Sequence, residues 1–282
     1  MKNFIVRTIT GIIFVVAVVA SFLNPQAMVF LFALVTGMTV WEFSGLVNNR
    51  EGVQINRFIC TVAGVYLFLA LAGYNGGLTP ATVFIPYLVS IIYLPVAELY
   101  LKAKDPISNW AYTMLSQLYI ALPFSLLNVL AFRSNGIGIQ YTYLMPLSVF
   151  VFLWMNDTGA YCVGSLLGRH KLFPRISPGK SWEGSIGGGL LVVAIAVGIW
   201  YLTEQYDVND LGLNACEWAG LGLTVVVFGT WGDLVESLFK RTLGIKDSGN
   251  ILPGHGGMLD RFDSSLLAIP AAVVYLYTLT LF

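Results

Sequence analysis

Hydrophobic residues run through this chain in long unbroken stretches, not in the alternation of a half-buried strand. The stretch LLVVAIAVGIWYL (190–202) is one of several. Cut at Pro, Gly, Asn and clustered charge, the pattern predicts nine apolar segments, at roughly 4–22, 26–47, 57–73, 79–101, 110–132, 141–167, 184–203, 216–240 and 262–282. About 20 apolar residues cross the hydrocarbon core of a bilayer as a helix, and a helix satisfies its own backbone there. The expected fold class is an all-α polytopic membrane protein with about nine transmembrane helices and a cytoplasmic N-terminus. The sixth and eighth segments are long and hold polar residues, so they are expected to leave the bilayer or break.

Composition supports this reading. The 282 residues are 57% hydrophobic and 11% charged, against about a quarter charged in a soluble domain. The first segment follows Lys2 and Arg7 but is long and has no small-residue cleavage site after it, so it reads as an uncleaved span. Basic residues gather on alternate sides of the spans. With the N-terminus inside, 14 of the 15 Lys and Arg fall on the cytoplasmic face, and only Arg133 falls outside. The loop 204–217, with Glu204, Asp207, Asp210 and Glu217, falls outside as well. Cys60, Cys162 and Cys216 are far apart and read as packed thiols. The sequence shows neither a GxxxxGK[ST] phosphate loop nor a basic, aromatic-interleaved surface for nucleic acid.

The chain reads as two unequal parts. Residues 1–140 are plain spans, a scaffold with dimer contacts. Residues 141–282 collect the polar groups in two cytoplasmic segments, 156–184 and 232–264. In the second, Asp233, Glu236, Ser237 and Lys240 share one helix face, bordered by Arg241. A loop punctuated by Gly244, Gly249, Gly254, Gly256 and Gly257 follows, then Asp260, Asp263 and Ser264 at the mouth of the last span. The loop could fold Asp260 back near Asp233. Carboxylates from two helices suit a hard cation such as Mg²⁺. Lys240, Arg241, Lys246, His255 and Arg261 suit a polyphosphate, and the glycines of PGHGG let backbone N–H groups approach an anion. Acids and bases together beside a span point to phosphoryl or nucleotidyl transfer.

The upstream segment adds Asn156 and Asp157, which interrupt the sixth span, and Ser177, Lys180, Ser181 and Glu183 at the start of the seventh. A helix start favours anions, although SWEG also reads as a simple capped start. The GxxxG spacing of Gly184 and Gly188 reads as close helix packing. Glu42 in WEFSG and Glu98 read as interfacial, not catalytic, and His170 as a solvated loop residue.

The stretch SLFKRTLGIKDSGNILPGHGGMLDRFD resembles the signature of phosphatidate cytidylyltransferases (CDP-diacylglycerol synthases). That signature reads S-x-apolar-K-R, four residues, K-D, then P-x-H-G-G-x-x-D-R-x-D. NDTGAY and SPGKSWEG resemble two further segments of the family. The second is usually closer to SPKKTWEG, so Gly179 stands where a base is usual and Ser181 where a threonine is.

The resemblance implies CTP and phosphatidate as substrates and CDP-diacylglycerol and pyrophosphate as products, with Mg²⁺ and in some members a second, monovalent cation such as K⁺. It also implies a helical homodimer in the cytoplasmic membrane, with the C-terminal spans forming a site that faces the cytoplasm. Asp233 and Asp260 would hold metal, with Asp263, Asp157 and Glu236 nearby. Lys240, Arg241, Lys246 and Arg261 would neutralise phosphates, and His255, Gly256 and Gly257 would hold phosphate oxygens. Lys180 and Ser181 would complete the lipid-phosphate end, with Asn156 and Ser237 as further substrate contacts. A CTP-dependent enzyme for another lipid phosphate, such as an ether lipid or a polyprenyl phosphate, would share this pattern. A cation transporter is the reading of another class, but the halves differ and the charges sit at one interface, unlike repeat-built transporters.

Overall fold

A computed structural model describes residues 2–134, 138–206, 212–249, 251 and 256–279, with the backbone alone for 2–7. Helices α1 (Lys2–Phe22), α2 (Pro25–Val47), α3 (Arg57–Asn75), α4 (Ile85–Leu101), α5 (Pro106–Leu115) and α6 (Leu122–Ala131) precede α7 (Leu144–Leu167), α8 (Trp182–Gln205) and α9 (Ala215–Thr242). A four-residue helix α10 (Leu259–Phe262) and α11 (Ser265–Leu279) complete the chain. Seven described helical stretches are long and apolar enough to cross a membrane: Pro25–Val47, Arg57–Asn75, Ala81–Leu101, Pro106–Ala131, Trp182–Gln205, Ala215–Thr242 and Leu259–Leu279. The protein is an all-α polytopic membrane protein. Of the other two expected segments, the first coincides with α1, whose described apolar part Thr8–Phe22 is shorter. The sixth is α7, which runs unbroken through Asn156 and Asp157, and the eighth, α9, does not break either.

Local sequence sets the helix starts. Asn24 and Asn56 accept hydrogen bonds from the N–H groups of Ala27 and Ile59, each at 3.0 Å, which satisfies donors that a helix start leaves unpaired. Asp105 does the same for Ser108 N–H at 3.0 Å and takes the Ser108 hydroxyl at 2.6 Å. The Ser108 hydroxyl and N–H together hold the Asp105 carboxyl below its ordinary range. Pro25 and Pro106 stand just inside two of these starts, where a missing N–H costs nothing. Between α5 and α6 the helix widens into a π turn over Ser116–Ala121, so one expected segment is three joined pieces. Two short antiparallel hairpins were not expected: β1 (Phe132–Ser134) with β2 (Ile139–Tyr141), and β3 (Lys171–Phe173) with β4 (Ser177–Ser181).

The chain forms two compact units. The first is Met1–Tyr143 with Thr242–Phe262, and the second is Leu144–Arg241 with Asp263–Phe282. In the first, Phe22, Phe32, Phe124 and Phe262 form a buried aromatic cluster, with Phe262 at 5.4 Å from Phe124 and 6.0 Å from Phe32 between ring centroids. Phe14 meets Phe262 edge-on at 5.5 Å. Such pairs favour edge-to-face geometry. They anchor α10, and with it Asp260, to the N-terminal helices.

In the second unit, α7 and α8 pack along a stripe of glycines. A Cβ on Gly159 would lie 2.9 Å from Gly188 Cα, and one on Gly184 would lie 2.8 Å from Ala160 O. Gly184 and Gly188 therefore serve helix packing, the contact that small residues allow where lipid supplies no hydrophobic drive.

Candidate active site

In the second unit the site rests on close backbone approach. Gly232 has no side chain, and a Cβ there would lie 2.8 Å from Asp263 O and 3.0 Å from Ser264 O. That gap lets α9 run against the chain entering α11. Asp233 follows Gly232 directly, and Asp263 lies within electrostatic reach of Asp233, Asp157 and Lys240.

Asp233 is half-buried, and both its oxygens are engaged. Its Oδ2 stands 2.5 Å from Lys180 Nζ, and its Oδ1 accepts the Ser237 hydroxyl at 3.2 Å. One turn along, Glu236 is fully buried and pairs with Lys240 at 2.7 Å. Glu236 is thus committed to an internal ion pair.

Lys180 reaches Asp233 because β4 ends there. Ser181 caps α8 through its Oγ, which accepts Gly184 N–H at 3.2 Å, and it is buried. The Glu183 carboxylate accepts the N–H groups of Arg169 (3.2 Å) and His170 (3.1 Å) and meets His170 Nδ1 at 2.6 Å. His170 is therefore tied to the start of α8. A cleft of about 290 Å³ opens beside these groups, and Asn156, Asp157, Gly179, Lys180, Ser181 and Thr230 are among its lining. Asn156 is 5% exposed, and its Oδ1 has no hydrogen-bond partner among the described residues. That oxygen faces the backbone of Gly188 on α8, and a buried polar atom in that state is costly.

The first unit holds a separate group of candidate residues around Asp260. Asp260 Oδ2 accepts Ser248 N–H (2.8 Å), Ser248 Oγ (2.9 Å) and Gly257 N–H (2.8 Å). Gly256 has φ +81°, and a Cβ there would lie 2.5 Å from Asp260 Oδ2. Glycine is required on both counts. Arg241, Lys246 and Arg261 are exposed. His255 and Gly254 lie outside the described residues, as do Asp207 and Asp210.

Local pattern misread Glu98, which is buried and accepts Asn109 Nδ2–H at 2.9 Å, and it misread Glu42. Glu42 is not at a lipid interface but 7% exposed. Its Oε2 accepts Met258 N–H at 2.9 Å and its Oε1 accepts Leu259 N–H at 3.1 Å. The Ser248 hydroxyl bonds the same Oε1. The available signal was an acid inside an apolar run, which marks function by default.

The acids of the second unit fit a hard divalent cation, because they offer oxygen donors within one another's field and flank lysines. Among the described residues no three His, Cys, Asp or Glu side chains form a ready metal cage. Mg²⁺ needs none, since it keeps several waters and takes substrate phosphates.

Fold and site together define a polytopic helical membrane protein whose acid- and lysine-lined cleft suits phosphate chemistry. The model described as "Cytidylyltransferase family" matches residues 5–279, and the chain belongs to that family. The chain is similar to the phosphatidate cytidylyltransferase of Staphylococcus aureus (strain COL), 31% identical over 268 residues that cover 94% of this chain and 96% of the relative. It is 34% identical to that of Haemophilus influenzae over 285 residues, covering 94% and 95%. The Staphylococcus epidermidis relative is 33% identical over 268 residues, covering 94% and 96%.

Proposed function

We propose that this protein transfers CMP from CTP to phosphatidate, giving CDP-diacylglycerol and pyrophosphate. Three named phosphatidate cytidylyltransferases resemble it along nearly its whole length. The observation that carries the reading is the meeting of Lys180 and Asp233 beside a cleft that also holds Asn156, Asp157 and Ser181.

A phosphatidate phosphate oxygen attacks the α-phosphorus of CTP in line. A new P–O bond forms, the bond to the β-phosphate oxygen breaks, and pyrophosphate leaves with that electron pair. The nucleophile is already an anion, so the protein contributes position and charge. Lys180, released from Asp233 by an incoming phosphate, neutralises it. Asn156 donates or accepts at the cleft wall. Lys240, Arg241, Lys246 and Arg261 offset charge on the polyphosphate, and His255, Gly256 and Gly257 hold phosphate oxygens. Asp233, Asp263 and Asp157 of the second unit are the groups that would hold Mg²⁺ there, and Asp260 is the metal-binding candidate of the first unit. When bound, the ion neutralises charge on the CTP phosphates. A monovalent cation such as K⁺ beside it, and a homodimer as the working form, rest on the family resemblance alone.

The site faces the cytoplasm in this reading. CTP is soluble, phosphatidate keeps its tails in lipid, and the basic residues gather on one side when α1 and α7 count as spans. The protein then resides in the cytoplasmic membrane with nine spans.

The test uses purified protein with CTP, Mg²⁺ and either phosphatidate, an ether-linked analogue or a polyprenyl phosphate, following pyrophosphate and CDP-lipid. Phosphatidate is expected to give both products, and Asp260→Asn to abolish turnover in a folded protein. Absence of pyrophosphate with every lipid would end the enzyme reading. Product from another lipid alone would move the activity to that lipid, and a fully active Asp260→Asn would remove Asp260 from the site.

A further inference from the structure

Glu42 belongs to α2, in the part of the chain that carries no motif, yet it makes the longest-range polar contacts of the site loop. Its two oxygens accept Met258 N–H and Leu259 N–H and meet the Ser248 hydroxyl. Ser248 in turn bonds Asp260 Oδ2 through both its N–H and its Oγ. The single Ser248 hydroxyl proton is thus shared between two carboxylates, and Glu42 also holds the backbone of Met258 and Leu259, the two residues before Asp260.

The loop is shaped to this carboxylate. A Cβ on Gly249 would lie 2.8 Å from Glu42 Oε2, and a Cβ on Gly257 would collide with the Glu42 carboxylate and the Ser248 hydroxyl. Two of the window's glycines are therefore small because Glu42 occupies the space beside them. The Arg57 guanidinium lies within electrostatic reach of Glu42 and is itself fixed by the Trp41 carbonyl at 2.7 Å and by the Trp41 ring. A carboxylate in such a place is expensive in an apolar environment. It is offset by three hydrogen-bonding contacts to the loop and one nearby cation.

We propose that Glu42 is a positioning residue for the transfer reaction: it fixes Ser248 and the backbone at 258–259 so that Asp260 is held in one orientation by Ser248 and Gly257. The inference rests on the reading that Asp260 works in the site. Glu42 itself touches no substrate in this scheme. It acts through the loop, and a misplacement near 1 Å is enough to cost about 100-fold in rate.

The test compares Glu42→Gln, Ser248→Ala and Asp260→Asn with the unaltered full-length protein in lipid nanodiscs. Amide hydrogen exchange over 256–262 and steady-state kinetics are both measured. Glu42→Gln is expected to raise exchange at Met258 and Leu259 at least about 10-fold, leave exchange in α3 unchanged, and lower kcat about 10- to 100-fold. Ser248→Ala removes only the bridging hydroxyl, and it carries the test if Glu42→Gln does not fold. It is expected to lower kcat about 10-fold, and the double variant to be no slower than Glu42→Gln alone. An unaltered kcat in Glu42→Gln, or in Ser248→Ala where that variant stands in, overturns the proposal when Asp260→Asn is dead, whatever the exchange shows. A fully active Asp260→Asn overturns instead the reading of Asp260 on which the proposal rests.

Discussion

Lys180, the fourth residue of strand β4, stands 2.5 Å from Asp233 of helix α9 through Nζ and Oδ2. Sequence places the two 53 positions apart, in different polar segments. In the proposed reaction this pair acts as a switch: the ammonium would leave Asp233 for a lipid phosphate, and Asp233 would then be open to a cation.

Removing that ammonium is the sharpest test of the switch. Lys180→Met is expected to lower kcat/KM for phosphatidate about 100-fold or more, the cost of losing one preorganised charged donor. Lys180→Arg keeps the charge and is expected to retain part of the activity. The measurement is initial rate against phosphatidate in mixed micelles at fixed CTP. A Lys180→Met enzyme with normal kcat/KM and only a lower melting temperature would make the pair a structural tie.

The Glu236–Lys240 pair predicts a different signature. Glu236 is fully buried, and the Lys240 side chain is 13% exposed. Breaking a buried pair by removing one partner costs about 3–5 kcal/mol, whereas replacing both with apolar groups of similar size is often near neutral. Glu236→Gln is expected to lower the unfolding midpoint sharply. Glu236→Met with Lys240→Met is expected to recover most of the stability and still fail to turn over, because Lys240 is needed at the phosphates. Thermal unfolding read beside activity separates the two losses, and a double variant with full activity would take Lys240 out of the site.

Metal removal bears on the acid cluster. Chelation is expected to abolish pyrophosphate release and added Mg²⁺ to restore it. Asp263→Asn is expected to raise the Mg²⁺ concentration for half-maximal rate at least about 10-fold, because Asp263 shares its field with Asp233 and Asp157. A titration curve identical to that of the unaltered enzyme would leave Asp263 with a packing role only.

Much of this protein is readable from local pattern, and what is not has a common cause. Run length and turn residues marked the helical segments, because the bilayer demands helices of one length. Spacing alone put Asp233, Ser237 and Lys240 on one helix face. Partner choice across long separations is different. Nothing near Glu42 announces that it will accept the N–H groups of Met258 and Leu259, more than 200 residues away. Nor does the charged window show that Thr242–Phe262 belongs to one compact unit with the N-terminal helices. That follows from where Phe262 finds its aromatic neighbours, which is a property of the packed core and not of the segment. The π turn over Ser116–Ala121 is also unannounced: Ser116 and Gln117 interrupt the apolar run, but no Pro, Gly or charge cuts it there.

Gly188 and Gly179 predict opposite responses to a side chain. A Cβ on Gly188 would come 2.5 Å from Asn156 Oδ1 and 2.7 Å from Asn156 O, and the second is backbone that cannot swing away. Gly188→Ala is therefore expected to force α7 and α8 apart, at about 1–3 kcal/mol for overpacking, with a lower unfolding midpoint. It would also disturb Asn156 in the cleft. Gly179 meets nothing within 4 Å, and its φ is not positive. It lines the same cleft as Lys180, at the position where related sequences usually carry a base. Gly179→Lys is expected to leave stability within about 0.5 kcal/mol and to lower KM for phosphatidate, by adding a second ammonium beside the first. The rate measured against phosphatidate at low and high salt checks the origin, because an electrostatic gain at an open cleft weakens as salt screens it. An unaltered KM at low salt would show that the lipid phosphate does not sit at this end of the cleft.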